Sequence, residues 1–254
     1  MNSPLEISRW LLIISFCAAP GLRAATLELE PTADVTFLYS STPPVRQNLL
    51  NGGAAPIGAS LHSGGIDRGS CSLLRFDVGK IPVGARVKKA TLILTPVYSY
   101  AAAVYEGQER LSVYQLAAEN AGWVEGTGES LREPETDPIT VPGANGLYLN
   151  MESHTDDTTH EGVRWLSGGH IGLMDFTENE VASYPLSEMG LTKEQTMEIS
   201  LPPSLIENWQ KNRDLAKAGI VLWMNSDARQ VPESKFAIFQ SRESPQPPVL
   251  VLEY

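Results

Sequence analysis

The sequence predicts an all-β fold, a jelly-roll-type β-sandwich of antiparallel strands with one short helix near residues 204–211. Three observations carry that reading. Short runs of alternating apolar and polar residues recur between turn signals. Proline and glycine are plentiful, at 18 and 21, and interrupt any long helical pattern. Helical spacing appears in one place: after Pro202-Pro203-Ser204, Leu205, Ile206 and Trp209 fall on one face of a turn.

Thr26 to Glu30 alternates, with Leu27 and Leu29 on one side. After a bend at Pro31, Asp34 to Tyr39 continues as a second strand. Residues 41–69 are rich in Ser, Pro, Gly and Asn and read as a long loop. Cys71 to Val78 is a strand, with Leu74, Phe76 and Val78 inward and Leu73, Arg75 and Asp77 outward. Ile81-Pro82-Val83-Gly84-Ala85 is a turn, with proline fixing φ and glycine tolerating a positive one. Val87 to Val97, Leu111 to Leu116, Val181 to Leu186 and Thr196 to Leu201 follow as strands. Ala218 to Met224 is an apolar run that reads as a buried strand, and Lys235 to Gln240 and Val249 to Tyr254 close the chain. Residues 119–160 are polar and turn-rich, either an excursion or two short strands joined by loops. The reading is one domain over 25–254, with a long insertion at about 127–180.

The first 24 residues have the parts of a secretion signal: Arg9, an apolar run from Trp10 to Ala19, a break at Pro20-Gly21, and the small residues Ala24 and Ala25. The run is too short to span a bilayer. The expectation is an exported protein, extracellular or in the cell envelope. Removing residues 1–24 takes away Glu6, Arg9 and Arg23, so the formal charge of −11 becomes one unit more negative. An acidic chain repels nucleic acid and anionic lipid, which removes both as default partners. Cys71 is then the single cysteine and forms no internal disulfide. No later apolar run is long enough for a transmembrane helix, and the sequence sets no oligomeric state.

A family resemblance emerges at Ser72-Leu73-Leu74-Arg75-Phe76-Asp77-Val78, then Ile81-Pro82-Val83-Gly84-Ala85-Arg86-Val87 and Ala90-Thr91-Leu92-Ile93-Leu94. Ala33-Asp34-Val35, Leu111-Ser112-Val113-Tyr114, Trp123-Val124-Glu125-Gly126-Thr127 and the closing Ser241-Arg242-Glu243 with Pro247 to Tyr254 follow the same order. The chain resembles the extracellular β-sandwich modules called DNRLRE domains, which overlap the family 96 carbohydrate-binding modules. The resemblance covers about residues 26–254. It implies a non-catalytic module for polysaccharide or a cell-surface glycan, and some relatives bind acidic polysaccharide such as alginate.

Sugar-binding surfaces stack aromatic faces on pyranose rings. Tyr98, Tyr100 and Tyr105 surround a small-residue loop, and Trp123 and Trp165 fall in predicted loops, so these five are the aromatic candidates. Uronates want guanidinium or ammonium groups. Arg75 and Arg110 are the basic candidates, with Arg68, Lys88, Lys89 and Arg164 behind them. For Arg75 the alternative is a structural pair with Asp77 or Glu243. Sugar-binding jelly rolls often hold a structural calcium, whose ligands are oxygens. Asp34 and Glu243 are the candidate ligands, because terminal strands often pair; the other expectation is no cofactor. The stretch His154 to Glu161 is dense in possible ligands but matches no zinc spacing. No Gly-x-Ser-x-Gly, phosphate loop or His-Glu-x-x-His is present. Two further readings stay open: a structural or adhesive envelope protein, and a polysaccharide-degrading enzyme using the 127–180 insertion.

Overall fold

The structure, a computed structural model, describes residues 25–40, 56–62, 68–97, 109–126, 143–144, 146, 148–151, 162–167, 171–188, 195–227 and 233–254. In chain order its elements are β1 (Thr26–Leu29), β2 (Pro31–Ser40), β3 (Ile57–Leu61), β4 (Arg68–Phe76), β5 (Lys89–Leu94), β6 (Glu109–Leu116), β7 (Tyr148–Met151), β8 (Gly162–Arg164), β9 (Phe176–Pro185), β10 (Met197–Leu201), α1 (Pro203–Lys211), α2 (Arg213–Ala218), β11 (Ile220–Ser226), β12 (Lys235–Phe239) and β13 (Val249–Glu253). Every strand pair among the described residues is antiparallel. The fold is the all-β sandwich that the alternating segments predict.

One sheet runs β1-β13-β5-β10. The larger sheet runs β12-β3-β4-β11-β6-β9, with β2 also paired to β4. β7 and β8 form a separate two-stranded sheet. The two larger sheets are joined at the segment after β5, where Pro96 bridges Phe239. The N–H of Val97 donates to the Ile238 carbonyl at 2.9 Å, and that of Gln240 to the Thr95 carbonyl at 2.9 Å. This joins the segment after β5 to β12.

Two cores flank the larger sheet. Leu74, Leu92, Leu111, Val113, Leu222 and Leu252 fill the space between the sheets, with Leu205, Ile206 and Trp209 of α1. On the opposite face, Val35, Phe37, Cys71, Leu73, Val221 and Trp223 pack against Trp123, Leu149, Trp165 and Phe176. The larger sheet is therefore covered on both sides. That is why residues 220–224 are apolar without alternation: successive side chains enter different cores. It also corrects the outward placement of Leu73, which is fully buried in the second core.

Two further corrections concern small elements. The expected loop at 41–69 contains β3, whose five residues are all buried. Gly58 is required there, because a Cβ would lie 2.2 Å from the Ala237 carbonyl oxygen of neighbouring β12. The other correction is α2, which the sequence does not predict: α1 ends at Asn212, its C-cap, and α2 starts from the same residue. The Asn212 side chain caps α2, accepting from the N–H groups of Asp214 and Leu215 at 3.0 and 3.3 Å. No helix of the described residues is long and apolar enough to cross a membrane.

Gly219 ends α2 with φ of 78°. A Cβ there would lie 2.2 Å from the Leu74 carbonyl oxygen, so both dihedral and space demand glycine. Gly219→Ala is expected to cost about 2–4 kcal/mol in a urea melt. An unchanged midpoint would contradict this packing of α2 on β4.

Candidate functional site

Arg75 is placed by β4 on the face of the second core, at its edge. Its Nη2 donates to the Ala121 and Trp123 carbonyls at 3.1 and 2.9 Å, and its Nε to the Lys217 carbonyl in α2. The guanidinium carbon lies 4.1 Å from the centre of the Trp123 ring, a cation–π contact. The Trp123 indole N–H donates to the Ala218 carbonyl at 2.8 Å. Burial pushes the Arg75 pKa down, and the nearby Glu125 charge works against that. Neither Asp77 nor Glu243 is its partner: the side chain of Asp77 instead caps the turn after it, accepting from the N–H of Gly79 at 3.0 Å.

A second buried polar group fixes the helices. Gln115 of β6 donates through Nε2 to the Gly219 carbonyl at 2.8 Å and to the Leu215 carbonyl at 3.1 Å. Its Oε1 accepts the indole N–H of Trp209 in α1. One side chain thus holds α1 and α2 against the end of the sheet.

Between these helices and the turn at residues 77–86 lies a groove of about 810 Å³. Phe76, Ile81 and Ala216 supply apolar lining, and Val83 is fully exposed at the turn. Among the described residues, five cations line it, Arg75, Arg86, Lys211, Arg213 and Lys217, with two carboxylates, Asp77 and Glu207. On a chain with formal charge −11, this is a local reversal of sign. Apart from Arg75, the groove's cations are exposed. Such an arrangement attracts an anionic ligand.

Behind Arg75 sits a carboxylate cluster. Ligand oxygens of Asp34, Glu125 and Glu243 all lie within 4.8 Å of one another. The structure thus brings Asp34 of β2 close to Glu243, and adds Glu125. The N–H of Arg242 donates to Asp34 Oδ2 at 2.7 Å. Arg242 Nη2 donates to both Glu125 oxygens at 3.1 Å and lies 2.6 Å from Glu243 Oε1. Asp34 is 1% exposed. Burial pushes its carboxyl up to about 7; the Arg242 N–H opposes this, and Glu243 and Glu125 add to it. Glu125 is raised too, by burial first, with Arg242 opposing. Oxygens of this kind suit calcium, which takes six to eight of them. Here a guanidinium already lies on two of the three carboxylates, so the set as built does not fit a metal ion.

The other candidates are scattered. Tyr98, Tyr100 and Tyr105 lie outside the described residues, as does His154 to Glu161. Trp123 and Trp165 are 1% and 2% exposed. Their expected open faces are absent: Trp123 is covered by Arg75, and Trp165 packs on Phe37 at 5.6 Å between ring centres. Arg110 is partly exposed at the opposite end of β6 from Gln115. It lies 2.6 Å from Asp227 and 3.6 Å from Glu180, and the hydrogen bond it donates to Asp227 is the main cause raising its pKa. Lys89 pairs with Glu253 at 3.4 Å, and Arg164 lies over the Tyr148 ring. Sequence reading missed Arg86, Lys211, Arg213 and Lys217. Lys211 lies in α1, which the sequence predicts as a packing helix, and Arg213 and Lys217 lie in α2, which it does not predict.

No family model matches the chain, and no curated protein matches it.

The Asp34 carboxyl titrates near 7 in the fold against an ordinary 3.8. The folded chain therefore holds its proton more tightly than the unfolded chain does. The stability from this group is full below its ordinary value and is lost as pH rises through about 7. Asp34→Asn keeps the shape and cannot ionise. Relative to wild type, the variant's melting temperature is expected to rise between about pH 5 and about pH 8.5. A difference that stays constant or falls over that range would contradict the buried, poorly compensated carboxyl.

Proposed function

We propose that this chain is an exported, non-catalytic binding module for acidic polysaccharide, with the groove between α1, α2 and the 77–86 turn as its ligand surface. The observation that carries the reading is the groove's charge: five cations against two carboxylates, on a chain that is otherwise strongly acidic. The body of the protein repels polyanions, and the groove offsets that repulsion in one place. Exposed ammonium and guanidinium groups match carboxylates spaced along a sugar chain. The apolar lining suits the less polar faces of the rings. Motif order along the chain, which resembles DNRLRE modules, and the charged start and apolar run of residues 1–24 support glycan binding and export. Recognition in this reading rests on charge and apolar contact at the groove, with Trp123 and Trp165 serving the core.

The test is affinity electrophoresis through gels containing a polyuronate or a neutral glucan. Wild type should be retarded by the polyuronate alone, and less so as salt is raised. A Lys211→Glu, Arg213→Glu double variant should lose about tenfold or more in affinity, at roughly 1 kcal/mol for each reversed charge. Lys89→Glu, outside the groove, should bind as wild type does. Equal retention in both gels, or in neither, would sink the reading. Shortened polyuronate products after incubation would favour an enzyme. Cell fractionation should recover the chain outside the cytoplasm, and recovery in the cytoplasm would contradict export.

A further inference from the structure

The carboxylate cluster has the spacing of a cation site. Calcium binds oxygen at about 2.3–2.6 Å, so two of its ligand atoms stand up to about 5 Å apart. The oxygens of Asp34, Glu125 and Glu243 lie within 4.8 Å of one another. Three segments converge there: β2, the turn carrying Trp123 and Glu125, and the turn that leads into β13. At the hub lies a nitrogen. Arg242 Nη2 is 3.1 Å from each Glu125 oxygen and 2.6 Å from Glu243 Oε1, and the backbone of the same residue holds Asp34. An ion drawn to those three oxygens would collide with that nitrogen.

We infer that Arg242 is the built-in cation of this cluster: it stands where a divalent ion would, the chain takes no such ion there, and removing the guanidinium opens a calcium-type site. Arg75, whose charge is coupled to Glu125, supplies a second positive charge nearby. The two guanidiniums offset Glu125 and Glu243 without a metal. Arg242 thereby joins three segments through one side chain and one N–H. A guanidinium on the chain cannot be removed by a chelator, so the joint is independent of metal supply. This inference stands whether or not the groove binds polysaccharide.

The test is calcium titration of the whole chain by calorimetry, with thermal melts in calcium and in chelator. Wild type should give no binding heat, and its melting temperature should agree within about 1 °C in the two buffers. R242K keeps a cation at the hub and should be equally indifferent. R242Q removes the charge; it should melt lower in chelator and recover several degrees in about 5 mM calcium, with no recovery in sodium chloride of equal ionic strength. Calcium binding by wild type overturns the inference, as does a folded R242Q that ignores calcium. If R242Q does not fold, wild type and R242K decide: indifference in both supports the inference, and calcium binding by either overturns it.

Discussion

The guanidinium of Arg75 joins the parts of this protein that do not share a sheet. Carbonyls at the end of a helix and in a turn have no partners of their own. Here Lys217 at the end of α2, and Ala121 and Trp123 in the turn after β6, all present carbonyls to one side chain of β4. A cation taken partly out of water must be hydrogen-bonded to remain there. The same bonds that satisfy Arg75 therefore fix the helix end and the turn against the sheet. Gln115 does the equivalent for the start of the connection, holding Trp209 and the Leu215 and Gly219 carbonyls. Together these two side chains set the distance between the helices and the sandwich.

The groove follows from that joint. One wall is the turn after β4 and the other is α1 with α2, whose exposed residues are rich in Lys and Arg. The turn held by Arg75 also carries Glu125 towards Asp34 and Glu243. Positive charge faces outward on one side of Arg75, and negative charge is gathered and neutralised on the other by Arg242. Net charge alone describes neither side: the chain is acidic overall, yet its groove is basic and its main carboxylate cluster is partly buried.

Alternation made the sandwich legible, because β1, β4, β6, β10 and β13 each place every second residue in a core. It failed where the second face is also buried. Leu73 belongs to a core to which residues from the 118–176 region contribute, and no pattern within β4 announces that covering; in β11 the unbroken apolar run around Trp223 does announce a buried strand. β3 escaped notice because Gly58 and Ser60 lower its apolar signal, although tight packing against β12 is what demands that glycine. α2 spans six residues, too short for a periodic pattern. Proximity of Asp34 and Glu243 was readable from the expected pairing of terminal strands. Glu125 and Arg242 were not, since charge partners distant in sequence are set only by the fold. Trp123 read as a loop aromatic, and it is one; what the sequence hid is that the loop folds back beneath Arg75.

Hydrogen exchange on an Arg75→Met variant tests the central role of this guanidinium most directly, since methionine keeps much of the apolar stem and removes the donors. The expected result is a joint loss of protection in residues 118–126 and 213–218, while β1, β13 and β5 exchange as in wild type. Loss confined to the immediate neighbours of residue 75, or spread evenly through both sheets, would contradict the account.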